Sequence, residues 1–209
     1  MTELQIATAI PSPGDPNRPL VLLLHGYNSS ERDLAGLFDC LPREYRYASL
    51  RAPLKREYGW AWFTLERDAT GFVLGDVAAG RNAVLEWCRA NGEQPVGAIG
   101  FSQGGALALE LLRAGSVAWA AVLSGFVAPS DSAETAAADR RLAELKPPVF
   151  WGHGNDDPQI APELAQRLEA WLQAHTELSA HRYAALGHAI SATELADLSS
   201  WLRTRLAMA

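Results

Sequence analysis

The stretch that most constrains this 209-residue chain is Gly100-Phe101-Ser102-Gln103-Gly104-Gly105, set between the apolar run Val96 to Gly100 and the helical run Ala106 to Leu112. A strand that turns at once into a helix leaves the serine on a sharp, strained bend. Glycines two positions to either side let strand and helix approach where a Cβ would clash. A hydroxyl presented this way at a sheet edge has the setting of a nucleophile; the plain alternative is a helix N-cap after a buried strand.

The rest of the chain alternates in the same manner. Leu20-Val21-Leu22-Leu23-Leu24, between Pro19 and His25-Gly26, is apolar without a break, as suits a strand covered on both faces of a mostly parallel sheet. Tyr45 to Leu50, Val96 to Gly100, Ala118 to Leu123, Val149 to Gly152 and Ala180 to Ala184 read as further strands, and Leu4 to Ile10 as an edge strand. Helical spacing relates Val77, Val84, Leu85 and Cys88, then Leu164, Leu168, Trp171 and Leu172, then Leu195, Leu198, Trp201, Leu202 and Leu206. This order implies an α/β fold with helices on both faces and ligand chemistry at the carboxyl ends of the strands. The least regular parts, Arg51 to Gly75 and Ala128 to Pro148, are expected to form the pocket walls.

No repeat or low-complexity linker divides the chain, so residues 1–209 are expected to form a single domain. A chain of this length can bury roughly 70% of its unfolded surface, enough for a core without a disulfide or metal. Eighteen basic against twenty-four acidic residues give a net charge of −6 and no basic stripe, which argues against a nucleic-acid partner. The N-terminus lacks a basic and apolar leader, which points to the cytoplasm. The uncharged stretch Ala114 to Ala128 falls short of the roughly 20 residues of a membrane span. Cys40 and Cys88 have no CxxC spacing and are expected to be reduced core residues.

A serine hydroxyl is a weak nucleophile, so a histidine must take its proton and a carboxylate must orient that histidine, in the chain order Ser, Asp, His. Of the five histidines, His188 follows Gly187 in a loop between the last strand and the last helix. His175 ends a helix and His181 begins a strand, positions with ordinary structural explanations. The acid is expected after the strand ending at Gly152, where His153-Gly154-Asn155-Asp156-Asp157-Pro158 offers two adjacent carboxylates. Physical reasoning on the turn leaves Asp156 and Asp157 both open. His153 has no second histidine at ligand spacing, so no metal is expected, and hydrogen bonds to the acid loop suit it better. Oxyanion donors are expected from the backbone N–H groups of Gln103 and of Tyr27, the latter just after the strongest strand.

These motifs resemble the phospholipase/carboxylesterase family of α/β-hydrolases, which includes acyl-protein thioesterases. The resemblance rests on Leu24-His25-Gly26-Tyr27-Asn28-Ser29-Ser30-Glu31-Arg32-Asp33-Leu34, Arg51-Ala52-Pro53, Trp62-Phe63, Gly100 to Gly105, Leu123-Ser124-Gly125, His153 to Pro158 and Gly187-His188, in that order. It implies an α/β-hydrolase fold with a mostly parallel sheet and no large cap domain. Counting three residues from Gly154, as in the family's His-Gly-x-x-Asp pattern, it selects Asp157. It also carries the oxyanion donors onto Tyr27 and Gln103, and places Arg51-Ala52-Pro53, Trp62 and Phe63 around the substrate entrance, with a packing role as the alternative for Trp62 and Phe63 and with Tyr27 able to narrow the pocket. Thr64, where relatives often have an acid, and Lys55-Arg56-Glu57-Tyr58-Gly59-Trp60, in place of a glycine-rich approach, depart from the pattern.

The expected function is therefore a serine carboxylesterase acting on short- to medium-chain esters through an acyl-enzyme on Ser102, without a cofactor. The alternatives are an acyl thioesterase or lysophospholipase with the same triad and, less favoured, a non-catalytic ligand-binding relative. A dienelactone-hydrolase-like enzyme ranks low because serine, not cysteine, occupies the nucleophile position. The expected partner is a small-molecule ester, and a homodimer is left open.

Overall fold

Every residue of the apolar run Leu20–Leu24 is buried, and alternate side chains enter two different cores. Leu20, Leu22 and Leu24 join one, Val21 and Leu23 the other. Such a strand needs cover on both faces, and the rest of the chain supplies it. The structure, a computed structural model, describes residues 5–6, 8–68, 71–129 and 132–206.

The elements run β1 (Ala9–Pro11), β2 (Leu20–Leu24), α1 (Glu31–Ala35), a 3-10 turn (Phe38–Cys40), β3 (Arg46–Leu50), β4 (Leu54–Lys55), β5 (Trp60–Ala61), β6 (Leu65–Asp68), β7 (Gly71–Leu74), α2 (Val77–Ala90), β8 (Pro95–Phe101), α3 (Gln103–Arg113), β9 (Trp119–Leu123), α4 (Ala133–Leu145), β10 (Pro148–Gly154), α5 (Pro162–His175), β11 (Glu177–Tyr183) and α6 (Ala192–Arg205). A seven-stranded sheet has the order β1-β3-β2-β8-β9-β10-β11. Only β1 runs antiparallel to its neighbour; the other pairs are parallel. Helices α2 to α5 contribute to the core on one face, and α1 and α6 to the core on the other.

The expected strands are all present, Leu20–Leu24 with the same ends and the others with shifted ones, and β1 is a shorter edge than Leu4 to Ile10; Leu4 and Ala7 lie outside the described residues. The segment Arg51 to Gly75 is not irregular but carries two small antiparallel hairpins, β4-β5 and β6-β7. The segment Ala128 to Pro148 contains α4, whose buried residues are Asp139 and Leu142. An alanine-rich helix with so thin an apolar stripe leaves little periodic signal. Its anchor is polar: Arg113 of α3, 3% exposed, donates 2.8 Å and 3.1 Å bonds to Asp139, and Trp171 of α5 donates to the same carboxylate.

Cys88 is buried in α2, but Cys40 is exposed in the 3-10 turn rather than in a core. The turn is one surface loop long, and the Cys40 carbonyl, not its thiol, is tied down, by the Ser199 hydroxyl at 2.7 Å. Among the described residues no helix is long and apolar enough to cross a membrane.

Candidate active site

Ser102 lies where β8 passes into α3, with φ 54° and ψ −116°, a conformation costing a non-glycine residue about 1–3 kcal/mol. Its neighbours enforce it. A Cβ on Gly100 would stand 2.0 Å from the Gly104 carbonyl oxygen, and one on Gly104 would stand 1.9 Å from that of Leu24. The Ser102 N–H donates to Leu123 O at 2.9 Å, so adjoining strand ends pin the bend from the side. Every residue of α3 is buried, which anchors the turn in the centre of the molecule.

The two other expected side chains meet over the ends of β10 and β11. His188 Nδ1–H donates to Asp157 Oδ2 at 2.8 Å, and the side chains are 8% and 1% exposed. Asp157 Oδ1 takes the N–H groups of Gln159 and Ile160 at 2.8 Å and 3.0 Å. Burial pushes the Asp157 carboxyl up, but the bonds from His188, Ile160 and Gln159 outweigh it and hold it below the ordinary value. Asp156 is exposed and touches neither group by its side chain; its backbone N–H donates to Leu186 O at 3.0 Å. The geometry thus joins Asp157, not Asp156, to His188.

Ser102, His188, Gly26 and Tyr27 line one cleft of about 870 Å³. The Phe101 ring packs 4.8 Å from the His188 ring, centroid to centroid. One apolar wall, with Leu34, Leu37, Phe101 and Ile190, continues the core under α1 and α6. The opposite wall, with Leu65, Phe126 and Ile160, continues the other core. The cleft therefore has an apolar arm on each side of the sheet, and Asp33 and Glu66 are exposed carboxylates at its edge.

The loop after β2, which carries the Tyr27 N–H, is fixed through His25, which is fully buried. Its Nε2 accepts from Ala52 N–H at 3.0 Å and its Nδ1–H donates to Gly26 O at 2.8 Å, an arrangement that requires the neutral ring. Burial accordingly lowers its pKa. Asn28, at φ 59°, accepts from Tyr58 and Gly59 N–H groups at 3.0 Å and 2.9 Å, stitching the loop to the β4-β5 hairpin.

Three expectations change here. Trp62 and Phe63 are 0% and 1% exposed and do not line the cleft; they pack beneath it. Arg51 also stays out of the lining. It pairs with Glu31 at 2.7 Å, lies over the Trp60 ring, and its successor Ala52 bonds His25, so the motif braces the loop. His153 stacks on Trp151, and among the described residues its buried Nδ1 has no hydrogen-bond partner, so the expected bond to the acid loop is not made through that atom. Tyr27 does line the cleft, 39% exposed, with the Arg56 guanidinium 5.8 Å from its ring centroid.

The apolar arms escaped sequence reasoning because their residues come from six separate segments. The Gln103 side chain also escaped it, although an amide beside the serine was a signal. Among the described residues, no three His, Cys, Asp or Glu side chains gather so as to hold a metal ion.

Residues 86–206, more than half of the chain, match the phospholipase/carboxylesterase family. A probable carboxylesterase SOBER1-like protein of Arabidopsis thaliana is 37% identical over 132 residues, covering 60% of this chain and 48% of that protein. The chain thus spans about half the length of that plant relative. Acyl-protein thioesterase 1 of Kluyveromyces lactis is 28% identical over 226 residues, covering 96% of this chain and 97% of that one. The crystal structure of Zea mays acyl-protein thioesterase 2 superposes with a TM-score of 0.78 at 20% identity, covering 95% of this chain and 99% of that one, a likeness of fold.

Proposed function

Since the chain belongs to the phospholipase/carboxylesterase family, we propose that it hydrolyses short- to medium-chain carboxylic esters through an acyl-enzyme on Ser102. The observation that carries the reading is the buried Asp157–His188 hydrogen bond opening onto the same cleft as the strained serine.

His188 Nε2 takes the Ser102 proton as Oγ attacks the ester carbonyl carbon, and Asp157 holds the tautomer with Nε2 free to accept. The carbonyl oxygen becomes an oxyanion facing the N–H groups of Tyr27 and Gln103. His188 then protonates the leaving alkoxide, the C–O bond breaks, and the alcohol departs. Water, deprotonated by the same imidazole, attacks the acyl carbon; the C–Oγ bond breaks as the imidazolium returns the proton to Ser102 Oγ, and the carboxylic acid departs. Because Asp157 stays ionised below the ordinary carboxylate range, it keeps its orienting charge throughout the working range of an imidazole base.

The two apolar arms suit an acyl chain on one side of Ser102 and an alcohol on the other. A thioester reading has one specific support, the near-complete overlap with the Kluyveromyces lactis thioesterase. Work in the cytoplasm on small molecules, by a single domain, completes the proposal. The test is turnover of nitrophenyl esters of increasing chain length, with matched thioesters, by wild type and Ser102→Ala. Serine-dependent turnover peaking at short or medium oxygen esters is expected, with a loss of at least about 10³-fold in Ser102→Ala. A peak at thioesters or long chains moves the assignment to the thioesterase reading, and turnover that survives Ser102→Ala overturns the mechanism.

A further inference from the structure

The two oxyanion donors sit on segments far apart in sequence, Tyr27 after β2 and Gln103 at the start of α3. Stabilisation of a developing oxyanion requires both N–H groups to be held to within about 0.5 Å of the productive geometry before reaction. Something must fix one segment against the other.

Resting on the serine-hydrolase reading above, we propose that the side chains of Gln103, Trp62 and His25 form one hydrogen-bonded circuit that sets the separation and orientation of the two donors. Gln103 Oε1 accepts from the Trp62 backbone N–H at 2.9 Å, and its Nε2 donates to Phe63 O at 2.8 Å. The Trp62 indole N–H donates to His25 O at 2.8 Å. His25 Nδ1–H donates to Gly26 O, the carbonyl of the same peptide plane that carries the Tyr27 N–H. Rotating that plane to turn the Tyr27 N–H away from the serine would break this bond. The circuit therefore runs from one donor residue, through two buried side chains, to the peptide plane of the other.

Its members have no slack. Gln103, Trp62 and His25 are each 0% exposed, so a lost bond cannot be replaced by one to bulk water. The His25 and Trp62 rings pack at 5.3 Å. Behind them α2 closes the space, since a Cβ on Gly80 would stand 2.7 Å from Trp62 O. These are positioning residues: apart from the backbone N–H of Gln103, they act through the loop and not on the substrate. The burial of Trp62 finds its reason here, as a spacer under the oxyanion loop.

The test compares wild type, Trp62→Phe, Gln103→Met and the double variant in the full chain, with Trp119→Phe as a core change on the opposite face. The readouts are Tm, kcat and KM on a nitrophenyl ester, and affinity for a trifluoromethyl ketone, whose adduct with Ser102 is a tetrahedral oxyanion. Each single variant is expected to lose about 10–100-fold in kcat with KM within about threefold, and to lose ketone affinity by a similar factor. The double variant is expected to fall little below the worse single one, because either change opens the circuit. Trp119→Phe is expected to lower Tm without moving ketone affinity. Should Gln103→Met not fold, Trp62→Phe, which removes one N–H and keeps an aromatic ring, decides on the same readouts. Variants that lose Tm yet keep kcat and ketone affinity within about twofold overturn the circuit, whereas wild-type turnover that survives Ser102→Ala removes the underlying reading instead.

Discussion

The two sides of the cleft are held by different means. At Ser102, the proposed nucleophile, backbone packs on backbone: Gly104 lies against the Leu24 carbonyl, and α3 behind it is buried throughout. Across the cleft, Asp157 and His188 ride on loops whose neighbours Asn155, Asp156 and Ala189 are exposed, and the pair is fixed chiefly by the bonds that Asp157 accepts. The Ser102 side is thus specified by the absence of atoms around the turn itself; on the Asp157–His188 side close backbone packing is confined to Gly154, whose Cβ would stand 2.2 Å from Leu186 O, and the pair is specified by particular polar atoms.

The largest effect that sharpens this contrast is expected from Gly104→Ala. Its Cβ would meet the Leu24 carbonyl oxygen at 1.9 Å, which backbone cannot relieve cheaply, so a loss of at least about 3 kcal/mol in unfolding free energy is expected, with activity lost as well. Chemical denaturation and ester turnover check it, and a stable, active variant would break the comparison.

Next in size is Asp157→Asn, expected to lower kcat by about 10³–10⁴-fold while changing Tm far less than Gly104→Ala. Asp156→Asn, one residue away, is expected to stay within about twofold of wild type. Paired steady-state kinetics decide it, and equal losses at the two positions would contradict the assignment of the acid.

The smallest effect concerns Glu194, the N3 residue of α6. Its side chain caps the helix at Ser191, while Oε1 is buried against Gly152 of β10 with no hydrogen-bond partner among the described residues. Burial raises its carboxyl from 4.5 to about 7. A raised folded value means that protonation favours the folded state, so its stabilising effect is complete below the unfolded value and is lost as pH rises through about 7. Glu194→Gln is therefore expected to gain roughly 1–3 kcal/mol over wild type near pH 8 and nothing near pH 4. Thermal unfolding at both pH values measures this, and a gain independent of pH would show that charge is not the cause.

Sequence reasoning located the strand–turn–helix bend at Ser102 best because its signals are local. Gly-x-Ser-x-Gly between an apolar strand and a helix leaves few alternatives for the backbone, and unbroken runs such as Leu20–Leu24 locate the doubly covered strands. His188 was legible from its loop after the last strand. Asp157 was separated from Asp156 only by a family pattern, since both sit in one turn and differ in which way the side chain points.

What stayed hidden depends on contacts between distant segments. Trp62 and Phe63 look alike whether they touch substrate or pack beneath a loop, and only the bonds to Gln103 and His25 distinguish the two. Helix α4 is anchored by the Asp139–Arg113 pair, a polar contact that no apolar period reports. The arms of the cleft belong to two cores that meet at the sheet's end, a property of topology.

The central claim is that Ser102 is the nucleophile in a site completed by His188 and Asp157. It is tested most directly by reacting the protein with a nitrophenyl alkylphosphonate and locating the adduct by intact-protein and peptide mass spectrometry. One phosphonyl group on Ser102 is predicted, absent in Ser102→Ala and formed at least about 10²-fold more slowly in Asp157→Asn. An adduct on another residue, or labelling at Ser102 that is indifferent to Asp157, would contradict the account.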